Sequence, residues 1–317
     1  MDSYLPLSND LVFKYVFGTQ EQIRVLQAFL NAILEPVLDK KLVELTLENP
    51  FNLQEALDEK LSILDIRARD ESGRILNLEI QVAKDVSYAK RALYYACRMH
   101  SQQLKSGESY EKLSPVISIS LMNWVWEHSA KLHSIFRLKE LESLKDFPNY
   151  LEFHMIQLPF LSERDPISQR TLLEKWLLLI AKGEDYMSHP NTDLEELLKI
   201  EGIAEAVAAY EKCNSNKEMR YLIEAREKAL RDQISRETQA KNEGLKQGLE
   251  KGLQKGLEQG LEQGLQQGLY KGLEGTLKTI LQFYLDGDVS REKTEQRIKS
   301  HFGQGYDELV QSYLDKI

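Results

Sequence analysis

The sequence has little cysteine: Cys97 and Cys213 stand alone among 317 residues. That excludes a disulfide framework and a cysteine-rich zinc site. It also points to a reducing, cytoplasmic setting. The six histidines show no HExxH pair or other metal-ligand spacing. No run approaches the roughly 18 consecutive apolar residues of a membrane-spanning helix. The opening MDSYLPLSND lacks the basic and apolar regions of a signal peptide. There is no P-loop, no GxGxxG after a strand and no GxSxG elbow, so nucleotide-cradling and serine-hydrolase chemistries have no foothold. Positive charge is in deficit, with 41 Lys and Arg against 50 Asp and Glu, a net charge of -9. Contact with nucleic acid therefore requires a local basic patch rather than a whole-chain field. What is present is enough apolar residue, 42%, to build a packed core and exclude global disorder.

Composition shifts near residue 185. Before it, short β-branched and aromatic runs alternate with helical patterns, which predicts a mixed α/β domain over residues 1–185. After it come a helical arm, 186–275, and a small helical segment, 276–317. Apolar spacing predicts a helix from Ser8 to Leu34, broken at Gly18-Thr19, with Thr19 capping the second piece. Strands are expected at 62–69, 74–82, 115–121, 133–138 and 151–158. Ser87 suits the N-cap of a helix reaching Lys105, with Gly107 as its C-terminal glycine. Further helices are expected at 167–181, 192–200 and from Lys217. The last segment should break at Asp286-Gly287-Asp288 and Gly303-Gln304-Gly305.

The chemistry concentrates in the first hairpin. If Glu71-Ser72-Gly73 is a three-residue loop, Gly73 supplies its left-handed position and Asp70 pairs with Arg74. Counting back along both strands sets Asp65 opposite Glu79, about 4.5–5.5 Å apart at Cβ. Alternation puts Gln81 on the same face, while Leu78, Ile80, Leu64 and Ile66 face the other way. Facing carboxylates repel unless a proton or a cation lies between them. Oxygen ligands of this kind suit Mg²⁺ or Mn²⁺, ions that activate water and stabilise charge on a phosphate. A solvated edge hairpin with its acids in water is the competing reading.

Asp65 followed by Glu79-Ile80-Gln81 resembles the PD-(D/E)XK nuclease signature. More closely, SNDLVFKYVFG at 8–18, SILDIRARDESGRILNLEIQV at 62–82 and RALYYACRMHSQQLKSGESYEKLSPVISISL at 91–121 resemble the Rpn family of recombination-promoting nucleases, PD-(D/E)XK nuclease family transposases. The resemblance spans roughly residues 3–160. It implies a restriction-endonuclease-like fold, a mixed sheet flanked by helices, and Mg²⁺-dependent DNA endonuclease activity. Asp65 and Glu79 would hold the metal and Gln81 would orient water or phosphate. The implied setting is recombination, mobile elements or phage defence. Gln81 stands where the wider signature has Lys, and it cannot act as a base. Lys14, Lys84 and Lys90 are candidates to supply the missing cation. Asp10, one helical turn before Lys14, is a candidate supporting ligand. Arg91 heads a stripe with Tyr94, Tyr95 and Arg98 suited to DNA phosphates, opposite an apolar stripe of Leu93, Ala96, Cys97, His100 and Leu104. The alternative is a catalytically inactive DNA-binding or oligomerisation protein of transposase-like ancestry.

Gly-Leu recurs every four residues from Gly244 to Leu273. Each repeat advances 400° on a straight helix, so the stripe drifts about 40° per repeat. Eight glycines oppose helix formation by roughly 6–8 kcal/mol. Close helix–helix packing would offset that, which predicts a homo-oligomer formed through the arm; a flexible spacer is the alternative.

Overall fold

The computed structural model describes residues 4–51, 53, 65–148, 150–162, 165–287, 289–301 and 307–315. They form two compact units, Met1–Lys228 and Ala229–Ile317.

The first unit is built on a six-stranded mixed sheet among the described residues, in the order β1-β2-β3-β4-β6-β5. The strands are β1 Leu45–Leu47, β2 Ile66–Asp70, β3 Ile75–Gln81, β4 Val116–Met122, β5 His133–Arg137 and β6 Leu151–Gln157. β2 and β3 are an antiparallel hairpin, and β3, β4 and β6 run parallel. Every residue of β4 is buried, as its VISISLM sequence requires of a central strand. Positions 62–64 of the first expected strand and the expected break at 303–305 lie outside the described residues.

On one side of the sheet lie α1, Asp10–Phe17, and α2, Ile23–Leu34. Asn9 caps α1 by accepting from the Leu11 and Val12 amides. A short 3-10 turn separates the helices at the expected break, but the Thr19 side chain makes no cap hydrogen bond. α4, Leu172–Ser188, and α6, Ile203–Ser215, extend the same core, with the short α5, Thr192–Leu197, between them. Phe17, Phe29 and Trp176 stack at centroid distances of 5.1–6.0 Å. The composition shift near 185 falls inside α4, and packing continues past it. Asn214 accepts from the Leu5 amide at 2.7 Å, and the Tyr210 hydroxyl donates to the Leu5 carbonyl.

The other side is covered by α3, Tyr88–Ser101. Its buried residues are Tyr88, Ala92, Ala96 and Met99, whereas Leu93 and Cys97 are exposed. The expected apolar stripe is therefore displaced: two alanines let the helix axis approach the sheet, and bulkier side chains turn outward. The helix also ends before Lys105. Gln102 occupies its C-cap, and Gly107, with φ +87°, serves a later turn. Ser87 holds the N-cap position without a cap hydrogen bond; its hydroxyl donates to Asp85.

At the far edge, β5 and β6 carry a buried polar chain. Arg137 pairs with Glu152, Glu152 meets His154 Nε2 at 2.6 Å, and His154 Nδ1 lies 2.8 Å from His133 Nε2. Burial, reinforced by His154, pushes the His133 pKa down from 6.5 to about 4. A depressed folded pKa means this stability is fully present above about 6.5 and is lost as pH falls through about 4. The loss should be about 1–2 kcal/mol, discounted for partial exposure. Urea unfolding between pH 7 and pH 4 should show it for wild type and a flatter profile for His133→Asn; parallel profiles would contradict the assignment.

The helix α7, Lys217–Leu285, starts in the first unit, where Met219 and Ile223 join its core, and runs into the second, where it is exposed at every position from 229 to 272. A small cluster of Leu277, Ile298 and Tyr313 closes the unit, using α8, Arg291–His301, and α9, Asp307–Leu314.

Candidate active site

The β2–β3 hairpin sets the geometry. Its loop has Gly73 at φ +84°, and the Asp70 amide donates to the Arg74 carbonyl at 3.1 Å. Asp70 Oδ1 accepts from the Ser72 and Arg74 amides, which locks the turn. The ladder pairs Ile66 with Leu78. One step further sets Asp65 opposite Glu79. Asn49 pins this approach: its amide donates to the Asp65 carbonyl at 3.0 Å and its oxygen accepts from the Arg67 amide at 2.7 Å.

The acids do not lie in open solvent. Asp65 is only 9% exposed; its Oδ2 lies 3.6 Å from the Arg67 guanidinium, and its buried Oδ1 has no hydrogen-bond partner among the described residues. Glu79 is half-buried, and its pKa is raised, first by burial and further by Asp65, with Arg91 and Tyr88 opposing. Tyr88 Oη lies 2.7 Å from Ser120 Oγ and 3.4 Å from Glu79 Oε2. A phenol has one proton, so donation to Glu79 requires Ser120 to donate to Tyr88.

Gln81 forms a bridge. Its amide nitrogen donates to Glu79, and its oxygen accepts from Arg91 at 2.7 Å. Arg91 also lies 3.0 Å from Asp85, 3.7 Å from Glu79 and over the Tyr88 ring. Tyr94 and Tyr95 are exposed further along the helix.

The three candidate lysines separate clearly. Lys14 is 5% exposed, and it lines a cleft of about 1090 Å³ together with Asp65 and Arg67. Burial lowers its pKa, Asp65 opposes that shift and Arg67 adds to it. Lys84 instead pairs with Glu127 at the surface, and Lys90 is exposed on α3. Asp10 is not brought to the acid pair; it binds Arg226 at 3.1 Å.

These residues fit a hard divalent cation. Among the described residues no group of three or more His, Cys, Asp or Glu gathers to cage a metal. A Mg²⁺-type ion does not need one, because it takes one or two carboxylates and keeps several waters. Asp65 and Glu79, facing carboxylates of which one is nearly buried and one half-buried, would provide that set.

The sequence profile of the PD-(D/E)XK nuclease family transposases matches residues 7–240. The chain belongs to this family. No curated protein and no solved structure matches it. In this PD-(D/E)XK nuclease family transposase the mixed sheet flanked by helices is the restriction-endonuclease-like α/β fold, and the match takes in the acids, the Gln81 bridge and the root of α7. Sequence reasoning missed Arg67, Tyr88 and Ser120. Arg67 follows Asp65 by two on one strand face, and Ser118 and Ser120 alternate within an otherwise apolar strand, so their shared face was readable. Tyr88 was not, because a tyrosine opening a helix carries no such pattern.

Proposed function

We propose that the protein is a Mg²⁺-dependent DNA endonuclease, with Mn²⁺ able to substitute, acting in the cytoplasm in recombination, mobile-element or phage-related processes. The observation that carries this reading is the Asp65–Glu79 pair: two facing carboxylates, one nearly buried and one half-buried, with Asp65 Oδ1 lacking a hydrogen-bond partner among the described residues. Asp65 and Glu79 would hold the ion, which, when bound, stabilises charge on a phosphate and makes water more acidic. Gln81 and Arg91 fix the Glu79 carboxylate, and Tyr88 adds a third contact. Lys14 takes the part of the signature's lysine. With Arg67 it places positive charge along the cleft wall, where a phosphodiester oxygen gains charge during attack. The homo-oligomer is carried by the exposed arm.

Supercoiled plasmid incubated with purified protein and Mg²⁺, Mn²⁺ or EDTA tests the activity. Nicking or linearisation with either ion, and none in EDTA, is expected; intact plasmid under all conditions supports the inactive DNA-binding alternative. Gln81 provides a finer test. Gln81→Lys keeps a donor to Glu79 and should retain part of the activity. Gln81→Leu loses both hydrogen bonds, which at about 1–3 kcal/mol for bonds to charged groups corresponds to roughly a 10- to 100-fold lower cleavage rate. Equal rates for Gln81→Leu and wild type would remove the residue from the chemistry.

A further inference from the structure

Leu245, Leu249, Leu253, Leu257, Leu261 and Leu265 are 58–76% exposed, on a stretch of α7 that packs against none of the described residues. A Cβ added at any of the glycines beside them would meet nothing within 4 Å. A leucine every fourth residue forms a raised row along the helix, and the adjacent glycine row is a trough. Rows of this i±4 type incline about -26° to the axis, so two of them interdigitate at a crossing angle near -50°. The roughly 40° drift per repeat is this inclination seen down the axis. The surface is thus shaped to receive another helix carrying the same rows, and this chain supplies one.

Charge sets the direction. Residues 244–255 carry Lys246, Lys251 and Lys255 against Glu250, three minus one, a net +2. Residues 256–267 carry only Glu258 and Glu262, a net -2. In a parallel pair each half lies near its own like. In an antiparallel pair each basic half lies near its partner's acidic half. The crossing point that matches both halves falls where the sign changes, between Lys255 and Glu258.

We propose that the arm is an antiparallel self-docking surface, the leucine row of one copy seated in the glycine trough of a second, crossing near Gly256. This rests on the self-association proposed above but not on nuclease activity. The two-fold places each partner's residues 244–255 beside the other's 256–267. Because the helix axes diverge away from the crossing, a few repeats make contact and the flanking charges act across the Debye length of about 10 Å at 0.1 M salt.

The test is sedimentation equilibrium on the full chain at low and high salt. Four proteins are compared: wild type, Glu258→Lys with Glu262→Lys, Lys251→Glu with Lys255→Glu, and all four changes together. Glu and Lys have similar helix propensity, so helicity by circular dichroism should be unchanged. Wild type should self-associate, more weakly as salt rises. Each two-site variant should bind itself about tenfold more weakly at low salt, and the four-site swap should restore wild-type affinity. Monomeric wild type overturns self-association and this proposal together. Association that ignores the reversals, or a swap that fails to restore it, overturns the antiparallel pairing alone.

Discussion

Asp65→Ala and Glu79→Ala are each expected to lower cation-dependent DNA cleavage by at least about a thousandfold, the rate equivalent of the several kcal/mol a catalytic metal supplies. The fold should survive both changes. Burial and Asp65 raise the folded pKa of Glu79. A carboxylate with a raised folded pKa contributes stability that is fully present below its unfolded pKa and is lost as pH rises through the folded pKa. At neutral pH the cation-free protein therefore carries a cost, which Glu79→Ala removes. Its melting temperature without divalent cation should hold or rise at pH 7, with no such gain in acid. Full cleavage by either variant, in protein shown free of contaminating nuclease, would remove the acids from the reaction. A large fall in cation-free stability would mean that they serve the fold instead.

Trp176→Ala should cost about 3–5 kcal/mol, the usual penalty for emptying a buried tryptophan site. The side chain is fully buried on α4, with Phe17 and Phe29 against it at 6.0 and 5.4 Å. Gly202, with φ +82°, passes so close that a Cβ there would lie 3.2 Å from the indole and 2.7 Å from Ala28. Urea unfolding of wild type and Trp176→Ala should show the loss as a lower midpoint with an unchanged slope. A change below about 1 kcal/mol would show that α4 is peripheral to the nuclease core.

The hairpin was legible because its register has one free choice, the loop length, and Gly73 fixes it. The central strand was legible because a strand buried on both faces reads as an uninterrupted apolar run. The break at Gly18 was legible from the glycine itself. The buried face of α3 was not: periodicity marked Leu93 and Cys97, but packing distance chose Ala92 and Ala96, and a close approach to a sheet is a property of two surfaces rather than one. Lys14 could not be chosen over Lys84 and Lys90 for a similar reason. Its place beside Asp65 comes from packing of α1 against the sheet, which brings together residues fifty positions apart. Asp10 shares a helix face with Lys14, which suggests a site residue, yet it pairs with Arg226, which is distant in sequence. β1 is three residues long and has too little alternation to be seen.

The claim on which the account depends is that Asp65 and Glu79 jointly hold one divalent cation. Isothermal titration of Mn²⁺ into wild type, Asp65→Ala, Glu79→Ala and the double variant measures this without DNA. The account predicts binding to wild type, strong loss in each single variant, and no further loss in the double, because two ligands of one ion do not act independently. Undiminished Mn²⁺ binding in the double variant would contradict it.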